Sequence, residues 1–240
     1  MTPATDRLVA EGIGVRFGGL EALSGVDLDL GQGEIVGLIG SNGAGKSTMI
    51  NVLSGFQKPT AGTMRLGDMA LAGLSPDRIA RAGVSRTFQS VRLFRDLSVF
   101  DNVAAAAAVI RRPASDVADI VASLGLTELS GQRAGALSYA YQRRLAIARA
   151  LALKPRFLLL DEPAAGMTPE EVTDIDRTLV GLRDRTGVGL LLVEHNMALV
   201  MGVCERLVVL NGGRVIARGS PDDVRRNPLV REAYLGETAA

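Results

Sequence analysis

Gly40-Ser41-Asn42-Gly43-Ala44-Gly45-Lys46-Ser47-Thr48 matches the pattern G-x-x-x-x-G-K-[S/T] in full. It follows a short unbroken apolar run, Ile35–Ile39, and opens a stretch with helical spacing, Lys46–Leu53. A glycine-rich turn held between a buried strand and a helix restricts the chain to an α/β fold with that strand inside it. The residue types also carry a chemistry. Glycines let successive backbone N–H groups curl around an anion without Cβ clashes, and the helix N-terminus adds a favourable dipole. Lys46 suits neutralisation of β- and γ-phosphate charge, and the Ser47 hydroxyl suits Mg²⁺. The chain has only three lysines, Lys46, Lys58 and Lys154, so a chance match at Lys46 carries little weight. The glycine spacing is G-x-x-G-x-G, which does not fit the dinucleotide fingerprint G-x-G-x-x-G.

The rest of the chain reads as alternating strands and helices. Leu8–Leu30 alternates apolar and polar residues around glycines, as antiparallel strands do. Gly55–Gly73 reads as turns and short strands, Leu97–Leu126 as alanine-rich helix, and Leu137–Leu153 as a further helix. Phe157–Leu160 and Gly189–Val193 are buried-strand runs flanking a helical segment from Pro169 to Arg185. Leu207–Leu210 and Arg214–Ala217 form a hairpin around Asn211-Gly212-Gly213, and the tail after Pro221 is helical. Such alternation predicts a mainly parallel sheet, with ligands beyond the carboxyl ends of its strands.

At 240 residues and 47% hydrophobic, the chain is long enough for one large α/β domain with a sub-lobe. Lys plus Arg number 27 against 26 Asp plus Glu, an even balance that offers no electrostatic footprint for nucleic acid. The lone Cys204 excludes an internal disulfide framework. Met1–Arg16 lacks the pattern of a secretory signal. The longest apolar run, Val103–Ile110, falls far short of the roughly 18–20 residues that span a bilayer. A soluble protein is expected, touching a membrane only through a partner.

Each apolar strand run ends in candidate chemistry. Phe157–Leu160 leads into Asp161-Glu162-Pro163. There Asp161 is placed to hold Mg²⁺ opposite Ser47, and Glu162 to polarise a water for attack on a γ-phosphate. Gly189–Val193 leads into Glu194 and the only histidine, His195, placed to contact the γ-phosphate or orient that water. Other positions say less by themselves. Ser138 reads as a helix N-cap before Tyr139-Ala140-Tyr141. Gln89 reads as a polar surface residue, and Phe17 as a core or base-stacking aromatic. The arginines at 78, 81, 86, 92 and 95 read as a solvated basic face.

In order, Phe17, the loop 40–48, Gln89, Leu137-Ser138 ahead of Gln142-Arg143-Arg144, Leu-Asp-Glu-Pro at 160–163 and His195 resemble the nucleotide-binding subunit of ABC transporters along nearly the whole chain. The resemblance implies a RecA-like P-loop NTPase core with an antiparallel β subdomain, about 1–90 and 154–240, and a helical subdomain, about 91–153. It implies that ATP is held by Phe17 against the adenine and by Ser41, Asn42, Gly43, Gly45, Lys46, Ser47 and Thr48 on the phosphates. Mg²⁺ then lies near Ser47, Gln89 and Asp161, and Glu162 and His195 carry catalysis. Ser138, Ala140 and Tyr141 form the signature segment, offered to the ATP of a second subunit in a head-to-tail pair. Membrane permeases would dock near Val84–Asn102, and a periplasmic binding protein would act through them, with this subunit on the cytoplasmic face of the membrane.

Several segments are similar to branched-chain amino acid importer ATPases: Arg86–Gln89, Val91–Phe94, Leu137-Ser138-Tyr139 with Gln142-Arg143-Arg144, Asp161–Met167, Glu194-His195-Asn196-Met197, and the tail from Asn227-Pro228 to Ala233-Tyr234-Leu235-Gly236-Glu237. Urea and short-amide importers share much of this pattern, lipid exporters share the cassette, and non-transport members usually add a coiled coil or a second cassette. The chain departs from the family at three positions. Ala140 replaces the second signature glycine, Tyr141 the signature glutamine, and Thr168 the following loop's aspartate. The segment between Asn102 and Leu126 is also shorter than usual there. The expectation is a weak signature half, with activity leaning on a partner's intact one.

Overall fold

The structure is a computed structural model that describes residues 7–195 and 197–235. Asn196 and Gly236-Glu237, parts of two motifs above, lie outside the described residues. The chain opens with strands β1 (Arg7–Phe17), β2 (Leu20–Gly31) and β3 (Ile35–Gly40), then helix α1 (Lys46–Leu53). Next come β4 (Ala61–Leu66), β5 (Met69–Ala70), α2 (Pro76–Ala82) and β6 (Val84–Arg86). Helices α3 (Val99–Ala108), α4 (Ala114–Ser123) and α5 (Tyr139–Leu151) precede β7 (Phe157–Asp161), α6 (Pro169–Thr186) and β8 (Gly189–Val193). Helix α7 (Met197–Val203), the hairpin β9 (Arg206–Asn211) and β10 (Arg214–Gly219), and helices α8 (Pro221–Arg226) and α9 (Pro228–Leu235) complete the described chain.

Among the described residues two sheets form. One is four-stranded and antiparallel, in the order β2-β1-β4-β5. The other runs β10-β9-β3-β8-β7-β6. In it β9, β3, β8, β7 and β6 are mutually parallel and only β10 pairs antiparallel. The central strands β3, β7 and β8 are buried along their whole length, which is why they appear in sequence as unbroken apolar runs.

Period-2 alternation divides these strands between two cores. Ile35, Ile39, Leu158, Leu160, Leu190 and Leu192 pack with the helices from α3 onward. Val36, Leu38, Phe157, Leu159, Leu191 and Val193 pack with α1 and the antiparallel sheet. Asp161, two residues beyond Leu159, therefore emerges on the α1 face. So does Arg86, two residues beyond Val84 of the second core.

The structure departs from the sequence reading locally. The alanine-rich stretch 97–126 is two helices, broken where Arg111 takes φ 57° and Pro113 precedes α4. Helices α2 and α7 and strand β6 were not anticipated; β6 is three residues long, too short to display a period. Arg143 of α5, a charged residue, is buried, donating to Tyr139 Oη at 2.6 Å and to the Phe88 carbonyl.

Candidate functional site

The carboxyl ends of adjacent parallel strands carry the predicted chemistry side by side. β3 delivers the Gly40–Thr48 loop, β8 delivers His195, β7 delivers Asp161 and Glu162, and β6 leads to Gln89.

The loop is tightly fitted. Gly45, the N-cap of α1, has φ 104°, and a Cβ there would lie 2.7 Å from Leu23 Cδ2 and 2.9 Å from the Ala22 carbonyl. A Cβ on Gly40 would lie 2.4 Å from the Leu210 carbonyl, so no larger residue fits without moving backbone. No side chain caps α1 and its first turn holds no carboxylate. Its leading N–H groups lack intrahelical acceptors, the arrangement that receives an anion. Lys46 folds back over the loop, donating Nζ to the Gly40 carbonyl at 2.6 Å and the Ser41 carbonyl at 3.0 Å. Burial lowers the ammonium pKa below its usual value, while the carboxylates of Glu162, Asp161 and Glu194 pull it back up. Ser47 and Asn42 are exposed and Thr48 is half-buried.

Glu162 is the meeting point of three motifs. Gln89 donates Nε2 to Glu162 Oε2 at 2.8 Å, and His195 Nδ1 lies 3.6 Å from Glu162 Oε1. Glu162 takes φ 48°, a left-handed conformation that costs a non-glycine residue on the order of 1–2 kcal/mol. Its N–H bonds the Val193 carbonyl at 2.8 Å, and Glu194, fully buried, accepts from Ala164 N at 2.8 Å. Glu194 thus props the turn that aims Glu162. The sequence offered one sign of this, a carboxylate set directly after a buried apolar run.

Asp161 is paired with Arg86. Nη2 of Arg86 reaches Asp161 Oδ2 at 3.0 Å, with both side chains about nine-tenths buried. Burial raises the Asp161 carboxyl pKa and Arg86 opposes that rise. Arg86 therefore does not belong to a solvated basic face. Its backbone strand runs beside β7, and its side chain turns inward over α1.

Ser47, Gln89 and Asp161 together offer a hydroxyl, an amide carbonyl and a carboxylate, hard oxygen donors that suit Mg²⁺. Among the described residues no group of three or more His, Cys, Asp or Glu is positioned to hold a metal unaided. A cation here would share its shell with phosphate oxygens.

Phe17 is half-exposed at the tip of the β1–β2 hairpin, whose Ala22 and Leu23 pack on Gly45. Ser138 is the N-cap of α5 by backbone position, but its hydroxyl makes no capping bond. Ala140 is buried, whereas Tyr139 and Tyr141 on either side are exposed. Thr168 caps α6 in a reciprocal box: its hydroxyl accepts from Glu171 N at 3.3 Å and Glu171 Oε2 accepts from Thr168 N at 3.0 Å.

A family profile described as "ABC transporter" matches residues 23–165. The chain belongs to the ABC transporter family. A second profile, "Branched-chain amino acid ATP-binding cassette transporter", matches residues 214–240. Among curated ABC proteins, the high-affinity branched-chain amino acid transport ATP-binding protein LivG of Escherichia coli K12 is 45% identical, covering 96% of this chain and 98% of its own. BraF of Pseudomonas aeruginosa, described in the same words, is 42% identical over the same shares. Among solved ABC structures, the ADP conformation of an ATP-binding cassette superposes with a TM-score of 0.87 at 29% identity, covering 95% of this chain and 98% of that one. The P-loop NTPase fold and the ATPase class of this ABC subunit follow. Among the described residues no helix is long and apolar enough to cross a membrane.

Proposed function

We propose that this chain is the ATP-hydrolysing subunit of an importer for branched-chain or related amino acids. The observation that carries the substrate class is the match of residues 214–240 to the branched-chain profile, beside relatives named for that transport along nearly their full length. The chain would act in the cytoplasm, against the inner face of the membrane, with permease subunits and, through them, a periplasmic binding protein. A second nucleotide-binding subunit completes each ATP site by offering its signature helix.

The geometry supports a division of labour. Lys46 exchanges the Gly40 and Ser41 carbonyls for phosphate oxygens of ATP, and the free N–H groups of α1 complete the cradle. Ser47, Asp161 and Gln89 would hold Mg²⁺, which when bound screens the β- and γ-phosphate charge. Glu162 accepts the proton of the attacking water, while Gln89 and His195 aim its two oxygens. Phe17 lies against the adenine. Reconstitution with permease subunits of the branched-chain type, followed by uptake of labelled leucine, isoleucine and valine, tests the assignment. ATP-driven uptake of urea or lipid export, without uptake of these amino acids, would refute it.

A further inference from the structure

Arg86 joins three parts of the nucleotide site at once. Its Nη2 holds Asp161 Oδ2 at 3.0 Å, and its Nη1 reaches Asn51 Oδ1 on α1 at 2.6 Å and Ser54 Oγ at the C-cap of α1 at 3.1 Å. Its guanidinium carbon lies 4.5 Å from the centre of the Phe88 ring and 5.5 Å from that of Phe56, two rings that meet edge to face. Next to it, Thr87 Oγ1 accepts from Asp161 N at 3.3 Å. Arg86 thus begins on the strand leading to Gln89, spans to α1, whose first turn carries Ser47, and ends on the carboxylate of β7.

Two physical points give this contact meaning. A carboxylate oxygen fixed by a guanidinium leaves the second oxygen, Oδ1, with a defined direction, and partners behind a ligand govern how well it binds a cation. Arg86 is also anchored independently of Asp161, by one side chain of α1, the residue that caps its C-terminus, and two aromatic faces. It is a fixed clamp rather than a cation resting in an empty site.

We infer that Arg86 is a positioning residue for the Mg²⁺ site: it clamps Asp161 Oδ2 so that Oδ1 faces the metal shell, and ties that orientation to α1 and the Gln89 segment. The inference rests on the reading of Asp161 as the carboxylate of the Mg²⁺ site.

The test is equilibrium binding of ATP to the full chain on a Glu162→Gln background, with EDTA and with excess Mg²⁺. The readout is the factor by which Mg²⁺ tightens ATP binding. Arg86→Met is expected to cut that factor about tenfold, the lower end of the range for losing a partner behind a metal ligand, while affinity in EDTA stays within about twofold of the background because Lys46 and the loop are untouched. Arg86→Lys keeps the charge but not the fork that spans three partners, and is expected to remain impaired. Asn51→Ala removes one anchor on a half-buried residue and should reduce the factor in the same direction by less. An unchanged or larger factor in Arg86→Met, or full restoration by lysine, overturns the inference. Asp161→Asn separates the two readings: if it leaves the Mg²⁺ gain intact, the metal assignment itself fails, whereas loss of the gain there with silent Arg86 variants refutes only the clamp.

Discussion

Gln89 and Glu162 lie 73 positions apart in the chain, yet Gln89 Nε2 donates to Glu162 Oε2 at 2.8 Å. The bond crosses from the segment after β6 to the end of β7, and His195, from beyond β8, approaches the other oxygen of the same carboxylate. The amide bond fixes one oxygen of a carboxylate that sits on a strained turn, and on the proposed reading of Glu162 as general base this keeps its aim.

Removing the base while keeping the shape should separate binding from chemistry. Glu162→Gln is expected to retain ATP binding and to lower turnover by about 10²–10⁴-fold, the usual worth of a positioned general base. Phosphate release and equilibrium ATP binding measured on one preparation decide it. Preserved turnover removes Glu162 from catalysis.

The signature segment has a sharper expectation than its residue types suggest. Ala140 is buried in α5, so its methyl group is turned away from solvent, while Tyr141 is exposed beside Arg144, whose guanidinium carbon is 5.7 Å from the ring centre. The double change Ala140→Gly with Tyr141→Gln should raise ATPase activity in the assembled transporter. Tyr141→Gln alone should supply most of that gain. Ala140→Gly should instead destabilise the helix by about 1 kcal/mol. Turnover already normal in the unaltered complex, with no gain on substitution, defeats the expectation.

Thr168, where the family resemblance implied an aspartate, has a structural role of its own. Its capping box with Glu171 starts α6, so Thr168→Ala should cost about 1 kcal/mol. For a domain of this size that is a fall of about 2–4 °C in Tm. Thr168→Asp preserves the cap and should leave Tm unchanged. Thermal melts of the three proteins check both statements.

Stability should also depend on pH through Asp176. Burial pushes its carboxyl up to about 6 from an ordinary 3.8, and its Oδ1 has no hydrogen-bond partner. The carboxylate lies against α7, where a Cβ on Gly202 would be 3.3 Å from Oδ2. Since the folded state binds this proton more tightly than the unfolded one, stability falls as pH rises from about 4 to about 6, and the loss is complete above that. Asp176→Asn cannot ionise, so it should raise Tm at pH 8 by a few degrees and lose that advantage near pH 4. An advantage independent of pH contradicts this account.

Much of the architecture was legible because its signals are contiguous. A strand buried on both faces is an unbroken apolar run, and a helix shows its spacing within a few turns, so β3, β7, β8, α5 and α6 could be placed, each near the motif it presents. Elements of a few residues, such as β6, carry no such signal, and Pro113 with Arg111 divided what composition alone joined into one helical stretch.

The sequence by itself determined the chemistry available: a glycine loop with Lys46 and Ser47, a carboxylate pair at 161–162, and one histidine, each readable because its motif lies within a single stretch of chain. Only the tertiary structure decided how those groups are aimed. Arg86, read from composition as part of a charged surface, became the buried partner of Asp161, 75 positions away, and Glu194 became the prop beneath Glu162. The physical reason is register. The pairing of β6 with β7 brings Arg86 opposite Leu159, and the two-residue period of the strand then puts Asp161 on the same face. A single chain read end to end does not contain that alignment; it arises when separate strands pair.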